Sequence, residues 1–164
     1  MAHQAGSAAD LERLMEEYGT GLLRLCALQL GDAALAEDAA QETLLRAWRK
    51  YGTFRGEAAE RTWITAIALN VCRDLLRSPW HTRRMELSAL AEPSAEDAPW
   101  DDTPLRAVLS LPRKYREVVL LRYYEEFTLD EIADTLGIAP GTVSARLTRA
   151  KRKLRPMLEE WYYD

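Results

Sequence analysis

Residues 128–153 read TLDEIADTLGIAPGTVSARLTRAKRK and carry the strongest structural signal in the chain. The stretch opens with a capping box, in which Thr128 and Glu131 are spaced to satisfy each other's backbone amides. Gly137 is placed to end this short helix, and a second helix opens near Pro140 after a tight turn. The pattern predicts a helix-turn-helix, a motif whose second helix enters the major groove of DNA.

The two helices of this motif have one apolar and one polar side. We expect Ile132, Leu136, Val143 and Leu147 to pack the helices together, which leaves the other side of the second helix for DNA. From Ser144 onward to residue 155 there are six basic residues and no acidic one. A charged surface helix in an ordinary bundle is the alternative, but the missing acidic partners disfavour it. The side chains available to face DNA are Thr142, Ser144, Ala145, Arg146, Thr148 and Arg149.

The amino-acid composition limits the number of domains and the class of protein. With 164 residues, 48% of them hydrophobic and 29% charged, it suits one or two small domains. The net charge of −4 hides a basic C-terminal helix and a run of five acidic residues between Glu92 and Asp102. No apolar run reaches the roughly 20 residues of a membrane span, and the N-terminus lacks a secretory signal. We therefore expect a cytoplasmic protein that does not insert into membranes.

The cysteines and histidines do not form a metal-binding pattern. Cys26 and Cys72 each lie inside an apolar helical pattern, which predicts buried thiols. His3 and His81 fall in a predicted tail and a predicted linker. We expect no metal, no cofactor and no catalytic residues.

The N-terminal half reads as three helices. The first carries apolar residues at helical spacing, and Ser7 with Asp10 could cap it. After Gly31, Asp32 is placed to cap a second helix that runs to about Tyr51 and stops at Gly52. The third helix is predicted from about Glu57 to Arg77, where Ser78-Pro79 ends it. The predicted apolar faces are Leu11, Leu14, Met15, Tyr18, Leu22 and Leu25 on the first helix, and Ile64, Ile67, Ala68, Val71 and Leu75 on the third.

Helical periodicity fades over residues 79–103, which hold three prolines and the acidic run, and it resumes near Pro104. Pro112 suits the first turn of the next helix. The last helix should kink or end near Pro156, because proline clashes with the carbonyl group of Arg152. The chain is thus predicted to be all-α, with small helical domains at residues 1–78 and 104–164 joined by a flexible acidic linker at 79–103.

Two surfaces of the N-terminal half are further candidates. Asp38, Gln41, Glu42, Leu45 and Arg49 share one face of the second helix, although a solvated face is the usual explanation of such a pattern. On the third helix Ala66, Asn70, Arg73 and Arg77 align beside the loop Tyr51–Gly56. Basic residues there could follow a phosphate chain, while Asn70 or Phe54 could hold an unpaired base. The alternative is again a solvated face, with Phe54 in the core.

A family resemblance connects these surfaces. Gly31-Asp32 followed by AEDAAQETLLRAW at residues 36–48 resembles the "G-D…A-E-D…Q-E-T-F…A-W" signature of the extracytoplasmic-function sigma factors of bacterial RNA polymerase. The segments FRG at 54–56, TWI at 62–64 and ALNVCRD at 68–74 continue the pattern in order. In the second half, residues 111–122, 128–136 and 141–143 resemble it as well, as do Arg146, Arg149-Ala150 and Leu154. The resemblance covers the chain from about Leu11 to Leu154.

The resemblance implies a protein that binds core RNA polymerase and directs it to promoters. Its first domain, σ2, would bind the polymerase clamp and melt the −10 element, and its second, σ4, would bind the −35 element and the polymerase flap. An anti-sigma factor is an expected partner. The implied clamp residues are Asp38, Gln41, Glu42 and Leu45; those for the −10 strand are Phe54, Arg55, Asn70, Arg73 and Arg77; those for the −35 element are Thr142, Ser144, Arg146, Arg149 and Lys151.

The sequence departs from the family pattern in places. Members often have serine where Ala139 stands, and losing that cap costs about 1 kcal/mol. They often have a basic residue at Ser144, which leaves the −35 bases unassigned.

Two other functions compete with this one. A DNA-binding regulator without a polymerase role would leave the N-terminal half unexplained, and a helical scaffold would not need the basic last helix. Co-purification with core polymerase separates them from a sigma factor. An enzyme is disfavoured because no carboxylate pair, glycine-rich phosphate loop or metal-ligand spacing is present.

Overall fold

The computed structural model describes residues 5–54, 56, 59–79, 83 and 103–163, with side chains of the last range from Pro104 to Leu158. The described residues contain helices and no strand, which confirms the all-α class. The chain divides into two compact units, Met1–Ser78 and Pro79–Asp164. The predicted linker at 79–103 lies outside the described residues except at its ends and at Arg83.

Three helices form the N-terminal unit: α1 (Ala8–Leu30), α2 (Ala33–Arg49) and α3 (Glu60–Arg77). The predicted capping box at the start of α1 is confirmed, since the Asp10 amide donates to Ser7 Oγ at 3.1 Å and the Ser7 amide to Asp10 Oδ2 at 2.8 Å. Asp32 caps α2, because its Oδ1 accepts from the Leu35 amide at 3.0 Å. Side chains within one turn therefore fix where α1 and α2 begin.

The predicted boundaries between α2 and α3 were wrong. The α2 helix ends at Arg49, and a single 3-10 turn (Tyr51–Thr53) includes Gly52 instead of stopping at it. This turn is closed by the amide of Thr53, which donates to the Lys50 carbonyl at 2.8 Å. The α3 helix begins at Glu60 and not near Glu57. The start of α3 is fixed by the Glu60 side chain, which residues of α1 bind as described below.

The core of the N-terminal unit lies between its three helices, each of which contacts the other two. Cys26 and Cys72 are fully buried, as predicted, and neither forms a disulfide. Met15 was wrongly assigned to the apolar face, since 53% of it is exposed. Ile67 and Leu75 are only half-buried, so the buried face of α3 is narrower than its apolar pattern suggests. The central core residues are Leu14, Leu25, Leu35, Ala36, Ala39, Ile64, Ala68 and Leu69.

Over residues 103–163, the described part of the C-terminal unit contains four α-helices and one π-helical turn. The helices are α4 (Thr103–Ser110), α5 (Arg113–Val119), α6 (Leu129–Leu136) and α7 (Pro140–Tyr163), and the π turn is Leu120–Tyr124. The capping box of Thr128 and Glu131 is confirmed, with amide-to-side-chain distances of 3.0 and 3.1 Å. Gly137 ends α6 with a φ of +66°, a left-handed conformation that glycine adopts without steric cost.

The chain segment that follows the π turn places Phe127 in the core of this unit. The Arg122 guanidinium donates to the Phe127 carbonyl at 2.9 Å, and the Phe127 amide donates to the Leu121 carbonyl at 2.9 Å. Glu126 adopts a φ of +57° between them, which is uncommon outside glycine. These contacts turn the chain so that Phe127 becomes fully buried.

The last helix continues past the point at which its end was expected. It runs through Pro156 to Tyr163, so of the two predicted outcomes, a kink or an end near Pro156, the end was wrong. Proline removes one backbone hydrogen bond, but packing on both sides of it supports the helix. Leu154 is buried before it, and the Met157 sulfur after it lies 3.5 Å from the Ser110 hydroxyl of α4.

Candidate nucleic-acid interface

Among the α7 side chains that the structure describes, Pro140 to Leu158, only one side of the helix is buried. That side packs on α5 and α6, and Ile132 of α6 is fully buried against it, as predicted. Polar residues occupy the remaining circumference, with Arg146 half-buried. The buried residues of α7 are Val143, Leu147, Ala150 and Leu154, and the exposed ones predicted to bind DNA are Thr142, Ser144, Arg149 and Lys151.

Most exposed residues of α7 fall on two flanks of the helix, and Ala145 and Arg152 lie between these flanks, opposite the buried face. Steps of three and four residues align Thr142, Arg146, Arg149 and Lys153 on one flank, and Ser144, Thr148, Lys151 and Arg155 on the other. On the second flank, Lys151 Nζ lies 5.8 Å from the centroid of the Tyr123 ring in the π turn. The predicted set therefore does not form one row. Both flanks of α7 are basic, which suits a helix with phosphates on either side.

The polar face of α2 is accessible. Asp38 and Gln41 are exposed, and one turn further along the helix 36% of Leu45 is exposed. Glu42 is held on the same face by Arg46, whose Nε donates to Glu42 Oε1 at 2.9 Å.

The candidate −10 residues are only partly brought together. Phe54 is half-buried, and its ring centroid lies 5.1 Å from that of Trp63, so neither the exposed nor the core alternative describes it. On α3, Asn70 and Arg77 are exposed, and Arg73 Nη1 lies 3.3 Å from Asn70 Oδ1. Arg55 lies outside the described residues.

A polar cluster behind the aromatic loop was missed by sequence reasoning. The Arg13 guanidinium of α1 donates to both Glu60 carboxylate oxygens at 2.8 Å. The hydroxyls of Tyr18 and Tyr51 also donate to this carboxylate, each at 3.0 Å. Because the partners are separated by 9 to 47 residues, no local pattern indicates the cluster. It ties α1 to the start of α3 and fixes Tyr51, whose ring lies beside Phe54 and Trp63.

The cluster also shifts ionisation. Hydrogen bonds from Arg13 keep the pKa of Glu60 below its usual value, and those from Tyr18 and Tyr51 add to the effect. Burial raises the pKa of the Tyr18 hydroxyl, as does its hydrogen bond to Glu60. At neutral pH the cluster therefore contains an ionised carboxylate and two neutral phenols.

Replacing Glu60 with glutamine should destabilise the N-terminal unit by about 2 kcal/mol at pH 7, because the charge of Arg13 loses its main partner. Since the pKa of Glu60 is lowered by folding, its contribution is complete above the unfolded value of about 4.3. The contribution is lost as the pH falls through the folded pKa. Hydrogen exchange of α1 and α3 amides should show faster exchange in the Glu60→Gln variant at pH 7, and a smaller difference at lower pH.

Glu17→Gln is the matched control. Glu17 accepts from the same arginine at 2.9 Å, but its side chain is 53% exposed, so its loss should cost less than about 1 kcal/mol. Equal effects of the two substitutions would show that the half-buried cluster contributes no more than an exposed ion pair.

The described residues also bear on two other classes of feature, metal sites and membrane-spanning helices. Within the described ranges, no group of three or more histidine, cysteine, aspartate or glutamate side chains is arranged to hold a metal ion. No helix in that part of the chain combines the length and apolar character needed to cross a membrane.

Comparison with known proteins gives consistent matches to both units. Residues 14–82 match the family model for Sigma-70 region 2, and residues 105–154 match that for Sigma-70, region 4. The ECF RNA polymerase sigma factor SigL of Mycobacterium tuberculosis is 35% identical over 165 residues, covering 95% of this chain and 93% of its own. The ECF RNA polymerase sigma factor SigW of Bacillus subtilis is 29% identical, covering 90% and 88%.

Two solved structures have the same fold. One is the sigma factor RpoE in complex with the anti-sigma factor NepR from Bartonella quintana, with a TM-score of 0.74 and 22% identity over 93% of this chain and 98% of that one. The other is CnrH in complex with the cytosolic domain of CnrY, with a TM-score of 0.71 and 24% identity over 94% and 91%.

Proposed function

The chain belongs to the extracytoplasmic-function family of RNA polymerase sigma factors, which direct promoter-specific transcription initiation, and we propose that its two units divide promoter recognition between them. The N-terminal unit binds the polymerase clamp and the −10 element. Residues 104–164 bind the −35 element and the polymerase flap. The protein acts in the cytoplasm and has no catalytic activity of its own.

The observation that carries this proposal is the one-sided burial of α7. Val143 and Ala150 are fully buried, whereas both flanks of the helix carry cations at accessible positions. Such a helix can lie in a major groove without disturbing its own core. Thr142, Ser144, Arg146, Arg149 and Lys151 are the proposed −35 contacts.

The experiment that tests this function combines binding and transcription. The full chain is mixed with core polymerase, recovered by pull-down and used for run-off transcription on genomic fragments. We expect discrete transcripts that core polymerase alone does not produce. A folded chain that does not bind core polymerase would disprove the proposal.

The face of α2 is proposed to contact the clamp through Asp38, Gln41, Glu42 and Leu45. Changing Gln41 and Glu42 together to alanine should weaken polymerase binding at least about tenfold, a difference of about 1.4 kcal/mol. Helicity should not change, because Gln41 is exposed and the ion pairs of Glu42 with Arg46 and Arg49 are near the surface. Binding is measured by titrating labelled core polymerase, and helicity by circular dichroism.

A matched control removes two other side chains that are exposed on α1, Glu12 and Glu16, by the double change to alanine. This control should bind core polymerase normally. Loss of helicity in the Gln41→Ala, Glu42→Ala variant would mean that these residues stabilise the fold and are not contacts.

An anti-sigma factor is proposed as a further partner. The support is the fold shared with RpoE and CnrH, whose solved structures are complexes with an anti-sigma factor and with the cytosolic domain of CnrY, respectively. The exposed apolar side chains Met15, Leu23 and Leu45 of the N-terminal unit are available to such a partner.

A further inference from the structure

A cluster of cations surrounds Tyr115 of α5. Lys114 Nζ lies 5.1 Å from the centroid of the Tyr115 ring, and Lys153 Nζ of α7 lies 5.6 Å from it. The ring is 8% exposed, whereas both lysines are exposed. The Tyr115 ring thus makes cation–π contacts with two ammonium groups that come from different helices.

Arg149 adds a third cation to this cluster. A hydrogen bond between Arg149 and the Tyr115 hydroxyl lowers the pKa of this phenol, and the charge of Lys114 acts in the same direction. Arg149 and Lys153 lie one turn apart on the same flank of α7, so both can reach the edge of α5. Neither helix alone would bring these three groups together.

The cluster has no acidic counterpart among the described side chains. The nearby Glu117 of α5 is fully buried and pairs with Arg113 at 3.0 Å. No ion pair within the described residues joins Lys114, Arg149 or Lys153 to a carboxylate. The cation–π contacts with the Tyr115 ring offset only part of the electrostatic repulsion among the three cations, and a bound anion would offset more of this repulsion.

We propose that Lys114, Arg149 and Lys153 form a binding site for one backbone phosphate of promoter DNA, which extends the helix-turn-helix to Lys114 of α5. The inference rests on the proposed −35 role of α7. It favours DNA over an acidic protein segment, because Arg149 and Lys153 continue the flank that carries Thr142 and Arg146. A duplex lying along that flank places a phosphate next to Tyr115. Lysines bind phosphate as point charges and contribute affinity without reading sequence.

The experiment measures binding of the full chain to a fluorescent 25-base-pair duplex of mixed sequence as KCl is varied. Changing Lys114 and Lys153 together to glutamine should make the slope of log K against log [KCl] shallower by about 0.9, the value for one phosphate. At 50 mM KCl the same change should weaken binding about tenfold. Lys114→Arg with Lys153→Arg keeps the charge and should keep the slope. Arg24→Gln controls for net charge, since Arg24 is exposed on α1.

The other outcomes each overturn the proposal. An unchanged slope, or no duplex binding by the unaltered chain, would mean that the cluster holds no DNA phosphate. A slope change of about 1.8 would mean that the lysines bind two phosphates separately. An unchanged slope with weaker binding to polyglutamate would assign the cluster to an acidic protein. Run-off transcription by the unaltered chain with core polymerase tests the proposed function separately, because that result does not depend on the two lysine substitutions.

Discussion

Holoenzyme that carries both Arg73→Ala and Arg77→Ala is expected to assemble and bind its promoter but to open it about 10- to 100-fold less well. Each tenfold loss corresponds to about 1.4 kcal/mol, which is the size of a charged hydrogen bond. The two arginines are one turn apart on α3, with Arg77 exposed and Arg73 partly exposed beside Asn70. Their removal leaves the core of the N-terminal unit intact, so the loss should appear in opening and not in stability.

Permanganate footprinting on a promoter found by run-off transcription measures this opening directly. Arg73→Lys with Arg77→Lys keeps the charge and should retain part of the activity if the contacts are to phosphates. Arg24→Ala on α1 should have no effect. Normal opening by the double alanine variant would show that this side of α3 does not act on the −10 strand.

Phe127→Ala should destabilise the C-terminal unit by about 3–5 kcal/mol, the usual cost of removing a buried phenyl ring. Phe127 is fully buried, and the chain reaches it through a π turn and a left-handed residue. Such a loss is a large part of the roughly 5–15 kcal/mol that stabilises a typical protein. We expect faster hydrogen exchange throughout α4 to α7 and loss of −35 binding.

Leu129→Ala is the matched control for this prediction. Leu129 is also apolar and lies two residues away, but 37% of it is exposed. Its replacement should therefore lower the free energy of unfolding much less than the cavity left by Phe127→Ala. The N-terminal unit should exchange normally in both variants. Native-like exchange in the Phe127→Ala protein would mean that the unit tolerates the cavity by repacking.

Local sequence patterns predict on which face of a helix an interface residue lies, but not which residues of other helices it contacts. The positions of the α2 face and of the basic residues on α7 were predictable, because a helix repeats every 3.6 residues. Which neighbours those residues meet was not predictable. Arg149 and Lys153 lie beside Tyr115, because α5 packs along one flank of α7, whereas Lys151 on the other flank lies beside Tyr123 of the π turn.

The sequence by itself determined the helical class and the helix starts at Ser7, Asp32 and Thr128, because a capping side chain and the amide that it binds are three residues apart. Only the tertiary structure decided where α3 begins and how far α7 continues. Glu60 is held by Arg13, 47 residues away, and the turns around Pro156 are held by α4. Such contacts depend on how the helices pack, and no pattern within one helix encodes them.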